Sequence, residues 1–270
     1  MTISVLISCM HQKDTSIISR SNVRTNAVVI NQCDRESTEK TIFTDANGQK
    51  HQLHFICTKE RGLAKSRNKA IDNSEDDICL IMDDDETLYD NYESIITNAF
   101  QEYNDADIIA FNVDRNKAKK YAKSPHNVGF LRALKISSVE ICFRRKSIND
   151  KNIRFDIEMG SGTGHGAGEE NAFLYECLRK GLKIKYVPQK IATLSTASDS
   201  QWFNGFTDKY FLQRGWATER YMGKFVATLY AIYYIVCKRN MYKKDCSQWN
   251  AFKNTIKGIY CKNIWHETSN

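Results

Sequence analysis

The chain has 270 residues, of which 41% are hydrophobic and 26% charged, with only two prolines and 13 glycines. That balance excludes a disordered chain and long linkers, and no internal repeat or low-complexity tract is visible, so one large domain or two small ones are expected. The net charge of +7 suits an anionic substrate, a membrane surface or nucleic acid without choosing among them, but no DNA- or RNA-binding module signature is present, so nucleic acid is not an expected partner.

Ile3 to Cys9 reads as a first buried strand. The N-terminus lacks the basic-then-apolar pattern of a signal peptide, and no apolar run reaches the roughly 20 residues of a spanning helix. Thr15 to Arg20 predicts a short helix. Ala27 to Asn31 is a second strand, running into Gln32-Cys33-Asp34. Asn47-Gly48 is a hairpin turn signal, and Leu53 to Cys57 is a third strand. Gly62 to Ile71 predicts a helix, Ile78 to Met82 a strand buried on both faces, Tyr92 to Tyr103 an amphipathic helix and Asp107 to Val113 another strand. This strand–helix alternation argues for a doubly wound, mostly parallel α/β sheet flanked by helices.

The next segments differ. Asp114 to Asn127 carries Arg115, Lys117, Lys119, Lys120 and Lys123 and reads as an exposed loop or hairpin, with a phosphate- or membrane-facing role as the alternative. Val139 to Phe143 is a strand, Ala172 to Lys180 a helix stopped by Gly181, and Lys183 to Val187 a last strand. After Ser195 the sheet pattern ends in an aromatic-rich helical extension containing Trp202, Phe203, Phe206, Tyr210, Phe211 and Trp216. Residues 225–237 are mostly apolar and flanked by Lys224 and Lys238-Arg239. They are too few to span a bilayer and suit either a buried helix or an interfacial one. Nine cysteines, an odd number without a C-x-x-C pair, several inside strand-like runs, point to free thiols in a reducing cytoplasm.

Three carboxylates, Asp83-Asp84-Asp85, sit where the Ile78–Met82 strand ends, followed by Glu86. Ligands of open α/β sheets bind beyond the carboxyl ends of the strands. In an extended segment Asp83 and Asp85 share one side and Asp84 takes the other. Packed carboxylates repel unless a cation or an arginine offsets them. Two on one side suit a hard divalent ion, and Arg67 on the preceding helix can supply positive charge.

Gly160, Gly162, Gly164, Gly166 and Gly168 alternate, but no frame matches G-x-G-x-x-G or G-x-x-x-x-G-K. What remains is a close-approach backbone ending at Glu169-Glu170 on a helix start. There the dipole is expected to keep a carboxylate ionised, as a general base requires. His165 and Glu169, four apart, are a weaker candidate metal pair.

Four features in order resemble family 2 glycosyltransferases of the GT-A fold: the opening strand Ile3–Ser8, the segment Arg61–Ile71 with Arg67-Asn68, the Asp-x-Asp-like Met82-Asp83-Asp84-Asp85, and Gly168–Leu174 with its acidic pair, following Ile153–Asp156. They cover about residues 3 to 196. The resemblance implies a GT-A (Rossmann-like) fold with a nucleotide-sugar half at 1–113, an acceptor and catalytic half at 114–196, and a helical extension at 197–270. It implies that Asp34 contacts the base, Arg61 lies near base and ribose, Asp83 contacts the ribose and, with Asp85, the Mn or Mg ion, and that Glu170 is the base. The usual Glu-Asp pair is Glu-Glu here, which leaves Glu169 as an alternative base. Asp84 is expected on the structural or sugar side.

The implied activity is inverting transfer of one sugar from a nucleotide-diphosphate donor to a hydroxyl. The expected acceptor is a saccharide or lipid-linked saccharide in surface polysaccharide (capsule or lipopolysaccharide) synthesis, reached from the cytoplasm or from the inner membrane face through residues 224–239. Gln213-Arg214-Gly215-Trp216 faintly resembles the Q-x-x-R-W of processive synthases, but the spacing departs from it. The alternatives are a sugar-phosphate nucleotidyltransferase and a non-catalytic cation- or sugar-binding module. The first expects a glycine- and basic-rich loop after the first strand, and Cys9–Asp14 has no glycine.

Overall fold

The structure, a computed structural model, describes residues 1–115, 119–163, 165, 168–194 and 205–261. In chain order the elements are β1 (Ile3–Met10), α1 (Ile17–Arg20), β2 (Asn26–Gln32), β3 (Ser37–Thr44), β4 (Lys50–Thr58), α2 (Leu63–Asp72), β5 (Ile78–Asp83), β6 (Glu86–Leu88), α3 (Tyr92–Glu102) and β7 (Ile108–Asp114). They continue with β8 (His126–Asn127), α4 (Phe130–Ala133), a 3-10 turn at Ser138–Glu140, β9 (Ile141–Arg144), α5 (Arg145–Asp150), α6 (Glu169–Arg179) and β10 (Ile184–Leu194). The C-terminal helices are α7 (Asp208–Met222), α8 (Lys224–Cys237), α9 (Arg239–Tyr242) and α10 (Gln248–Tyr260).

One sheet runs β3-β4-β2-β1-β5-β9-β7-β10-β6, with β8 on β10. The β4-β2-β1-β5 segment is parallel, as is the β7–β10 pair. Antiparallel β3, β9 and β6 complete the GT-A-like pattern. The central strands are apolar at nearly every position because helices cover both faces. Leu6, Val28 and Ile81 pack toward α2 and α6, while Val5, Val29 and Met82 pack toward Tyr92, Ile96 and Phe100 of α3. The expected Asn47-Gly48 hairpin is present, with Gly48 at φ +81°. All nine cysteines are free.

Helical structure follows the sheet, as expected; Trp202 and Phe203 lie outside the described residues. Helices α7 and α10 cross almost backbone to backbone. A Cβ on Gly215 would stand 2.1 Å from the Thr255 carbonyl oxygen, and one on Gly258 would stand 2.1 Å from that of Leu212. Beside the crossing, Arg214 donates to the hydroxyls of Tyr210 (3.1 Å) and Tyr230 (2.8 Å) and lies 3.8 Å from the Tyr234 ring centroid. The segment that faintly matched a synthase motif is thus part of the extension's own packing. Helix α8 buries Ala227, Ala231, Tyr234 and Ile235, as a buried helix would, and leaves its opposite face exposed. Among the described residues no helix is long and apolar enough to cross a membrane.

Candidate active site

The site is built around Arg67. Helix α2 carries Ala64, Ala70 and Ile71 into the core on one stripe, and Arg67 falls on that stripe. Its guanidinium is 2% exposed, so it must find anions. Nη1 donates to Glu169 Oε1 at 3.0 Å, and Nη2 donates to Asp83 Oδ1 at 3.1 Å and to Ser138 Oγ at 2.8 Å. Burial opposes the charge, but Asp83, Glu169 and Glu170 outweigh it and raise the Arg67 pKa. Asn68, its neighbour, forms a two-way bond with the Phe155 backbone, accepting its N–H and donating to its carbonyl at 2.8 Å each. The Arg-Asn pair therefore ties α2 to the sheet end and to the segment that precedes the glycines.

The acidic run divides differently from a continuous extended strand. β5 ends at Asp83, and Asp84-Asp85 form the turn into β6. Alternation holds for the first two: Asp83 faces Arg67, whereas Asp84 lies toward the backbone of Met10 on the other side. Burial, then the charges of Asp83 and Asp85, push the Asp84 carboxyl up. The expectation that Asp85 repeats Asp83's direction by period two does not apply, because the chain turns between them. Glu86, 3% exposed, closes the turn by accepting the Asp83 N–H at 2.9 Å. Burial first, and then Asp83, raise its carboxyl well above the usual range.

Glu169 and Glu170 open α6 as expected, and their roles separate by contact. Glu169 is buried, bound to Arg67 and to the Gly168 N–H at 3.1 Å. Gly160, at φ +89°, lets the chain pass under this carboxylate; a Cβ there would come within 2.8 Å of Glu169 Cδ. Ser161 accepts the Leu63 N–H at 3.1 Å, joining the glycine segment to the start of α2. Gly164, Gly166 and Ala167 lie outside the described residues.

Glu170 is half-buried, with Asn171 Nδ2 3.2 Å from its Oε1. Its carboxyl is pushed up to about 8, by burial first and by Glu169 second. The expected effect of the helix N-terminus, an ionised carboxylate at neutral pH, is overturned: desolvation and a like charge one residue away outweigh a screened terminal dipole. His165 does not pair with Glu169. Its Nδ1 lies 2.7 Å from the Glu158 carbonyl oxygen and its ring packs on Trp216.

Part of the basic segment 114–127 corrects the exposed-loop expectation. Glu140, 2% exposed, accepts from Lys119 Nζ at 2.6 Å, Tyr121 OH at 2.8 Å and Arg115 Nη2 at 3.3 Å. Burial pulls the Lys119 ammonium down, and burial with Glu140 pushes the Tyr121 phenol up to about 12. A buried carboxylate draws these groups inward, whereas Lys120 and Lys123 stay exposed, as expected, and Lys117 lies outside the described residues. Glu140 was legible in one respect: Ser137-x-x-Glu140 is a capping-box spacing, and the reciprocal bonds are made. Glu86 is visible in sequence only as the last acid of the run, without a role, and nothing in sequence marks Ser138.

At the other end, Arg61 Nη2 donates to Asp34 Oδ1 at 2.7 Å while Nη1 holds the carbonyls of Cys33, Thr58 and Lys59 at 2.8–3.2 Å. Gln32 Oε1 accepts the Gly62 N–H at 2.8 Å. Asp34 is exposed at the carboxyl ends of β2 and β4. The structure thus brings Asp83, Arg67, Glu169 and Glu170 into one cluster and Asp34 with Arg61 into a second, both on the carboxyl edge of the sheet. Among the described residues no three His, Cys, Asp or Glu side chains form a ready cation cage. The oxygen donors at the β5 end suit a hard divalent ion that takes one or two carboxylates and completes its shell with phosphate and water.

A family model described as Glycosyl transferase family 2 matches residues 15–167. No curated protein matches the sequence significantly. Among solved structures, the S. aureus TarS 1–349 fragment is similar at 15% identity and a TM-score of 0.62, over 96% of this chain and 81% of that one. The same fragment in complex with UDP-GlcNAc gives 14% identity and a TM-score of 0.63, over 96% and 82%. The fragment in complex with UDP gives 14% and 0.62, over 96% and 81%. At these identities the likeness is one of fold.

Proposed function

The chain belongs to glycosyl transferase family 2, and on that premise we propose that it transfers one sugar from a nucleotide-diphosphate donor to a hydroxyl acceptor with inversion. The observation carrying this reading is the division of labour at the start of α6. Arg67 occupies Glu169 and Asp83, whereas Glu170 stands beside them with a carboxyl raised to about 8.

In this reading Asp34 and Arg61 receive the base and ribose. Asp83 would contact the ribose, and Asp85 with Asp83 would hold a Mn or Mg ion. When bound, such an ion would supply Lewis-acid stabilisation of charge on a leaving phosphate. Glu170 takes the proton of the acceptor hydroxyl, and a base whose pKa lies near the working pH combines adequate ionisation with driving force for the transfer. Glu169 holds Arg67, and Arg67 in turn holds Asp83 at the donor. Asp84, turned toward β1, shapes the turn. The donor half is 1–113, the acceptor half 114–196 and the extension 197–270. The bound nucleotides of the TarS fragment support a UDP-sugar as the first donor to try. The acceptor is a saccharide or lipid-linked saccharide of a bacterial surface polysaccharide, met in the cytoplasm at the inner membrane face.

The test is donor turnover with Mn²⁺ across a panel of nucleotide sugars, preceded by a thermal-shift screen, since a site ligand raises stability by mass action. Asp85→Ala should lose cation-dependent donor binding. Glu170→Gln should keep donor binding and lose about 10²- to 10⁴-fold in rate. Full activity in both variants rejects the assignment.

A further inference from the structure

We propose that α8 is a membrane-contact helix that lies flat on an anionic lipid surface, its outer face in the boundary between headgroups and acyl chains. This deepens the inner-face placement above by naming the residues and the lipid chemistry, and it rests on that placement only for its biological setting.

The outer face of α8 presents Phe225, Val226, Leu229, Ile232, Tyr233 and Val236, all exposed, with Phe225 at 75%. Their spacing, i, i+1, i+4, i+7, i+8 and i+11, is one continuous helical stripe. Single exposed apolar residues are ordinary; a contiguous stripe of six large ones is not. The inner face is already committed to Ala227, Ala231, Tyr234 and Ile235. The helix cannot roll to bury the stripe without exposing those residues.

Charge identifies the occupant. Lys224 stands at one end of the stripe, and Lys238, Arg239, Lys243 and Lys244 follow the other; all five are exposed. No acidic residue occurs from 224 to 244. An apolar face with cations at its ends matches anionic headgroups above acyl chains, where lysine and arginine stems lie along apolar surface while their heads stay in water. With 14 residues, α8 is about 21 Å long at 1.5 Å per residue, too short to cross a core of about 30 Å. A second exposed apolar pair, Phe130 and Leu131 of α4, is linked to the same region. Phe130 packs on Tyr175 at 5.0 Å, and Tyr175 on Tyr221 at 5.0 Å, close before α8 begins. Arg132 and Lys135 extend the positive charge beside it.

The test is co-sedimentation of the full chain with phosphatidylcholine vesicles, with or without phosphatidylglycerol. Wild type should bind the anionic vesicles, and added salt should release it. Leu229→Glu with Ile232→Glu should abolish binding while the melting temperature and the donor thermal shift stay unchanged, because both side chains already face outward. Lys238→Ala and Arg239→Ala should each weaken binding about fivefold. Absence of binding, equal binding to neutral vesicles, or binding indifferent to the α8 substitutions overturns the proposal. So does a wild-type dimer that stays off vesicles and dissociates on Leu229→Glu, which assigns the stripe to a second copy. Loss of vesicle binding with the donor shift intact rejects only the lipid contact. Vesicle binding without any donor shift rejects only the transferase reading.

Discussion

Arg67 Nη1 and Glu169 Oε1 meet at 3.0 Å across 102 residues of chain. One lies on α2 and the other opens α6, the helix that carries the proposed base. Both are almost fully buried, and the same guanidinium reaches Asp83 at the end of β5. One side chain thus fixes the position of both acidic motifs. Removing one partner of a buried ion pair leaves the others uncompensated, at about 3–5 kcal/mol. Arg67→Ala should destabilise the chain by that amount in urea unfolding and abolish donor binding. Arg67→Lys should recover part of the stability and little of the activity, because an ammonium lacks the planar fork that serves Glu169, Asp83 and Ser138 together.

The pH dependence follows from Glu170. With its carboxyl raised to about 8, the ionised fraction grows as pH rises, so kcat should climb on the alkaline side and level off above that region. Glu170→Gln removes the limb. Glu169→Gln removes the neighbouring charge that raises Glu170, so the limb should move to lower pH; a limb that stays in place argues against Glu170 as its origin.

The same group affects stability with a definite sign. The folded chain holds the Glu170 proton more tightly than the unfolded chain, whose value is near 4.5. Where the folded state binds more protons, stability falls as pH rises. The loss begins above about 4.5 and is complete above about 8. Glu170→Gln should therefore be more stable than wild type at pH 8.5 and equal to it near pH 4, read as melting temperatures across that range.

Glu86 separates shape from charge in the acidic turn. It is buried and bonded to the Asp83 N–H, and burial raises its carboxyl well above the usual range. Glu86→Gln keeps an acceptor oxygen of the same reach and should retain donor binding. Glu86→Ala leaves the buried N–H unsatisfied and should cost about 1–3 kcal/mol, with weaker Mn²⁺-dependent donor binding in a thermal-shift titration.

Gly160 tests the loop under the acidic pair. Alanine there would place Cβ 2.8 Å from Glu169 Cδ at a backbone φ of +89°. Gly160→Ala should lose about 1–3 kcal/mol of stability and disturb the Arg67 contact, whereas Gly181→Ala, with a similar φ of +81° and nothing within 4 Å, should cost only the conformational strain.

Sequence by itself determined what depends on local pattern. Apolar runs broken by turn signals defined β1, β2, β5 and β7, and helical spacing defined α2, α3 and α6. The ordered motifs at Arg61–Ile71, Asp83–Asp85 and Gly168–Leu174 placed the chain in its family before any contact was visible. Tertiary structure alone decided what depends on through-space neighbours. Whether Glu169 or Glu170 is engaged by Arg67 turns on where α2 packs over β1 and β2. That Glu170 holds its proton reflects burial and a like charge, both invisible in a linear pattern. Arg115 and Lys119 turned inward because Glu140 is buried across from them. A turn at Asp84-Asp85 ended an alternation that would hold only in a longer strand. Helix α8 had an ambiguous composition because it has two apolar faces, and only packing against the rest of the extension showed which one the fold uses.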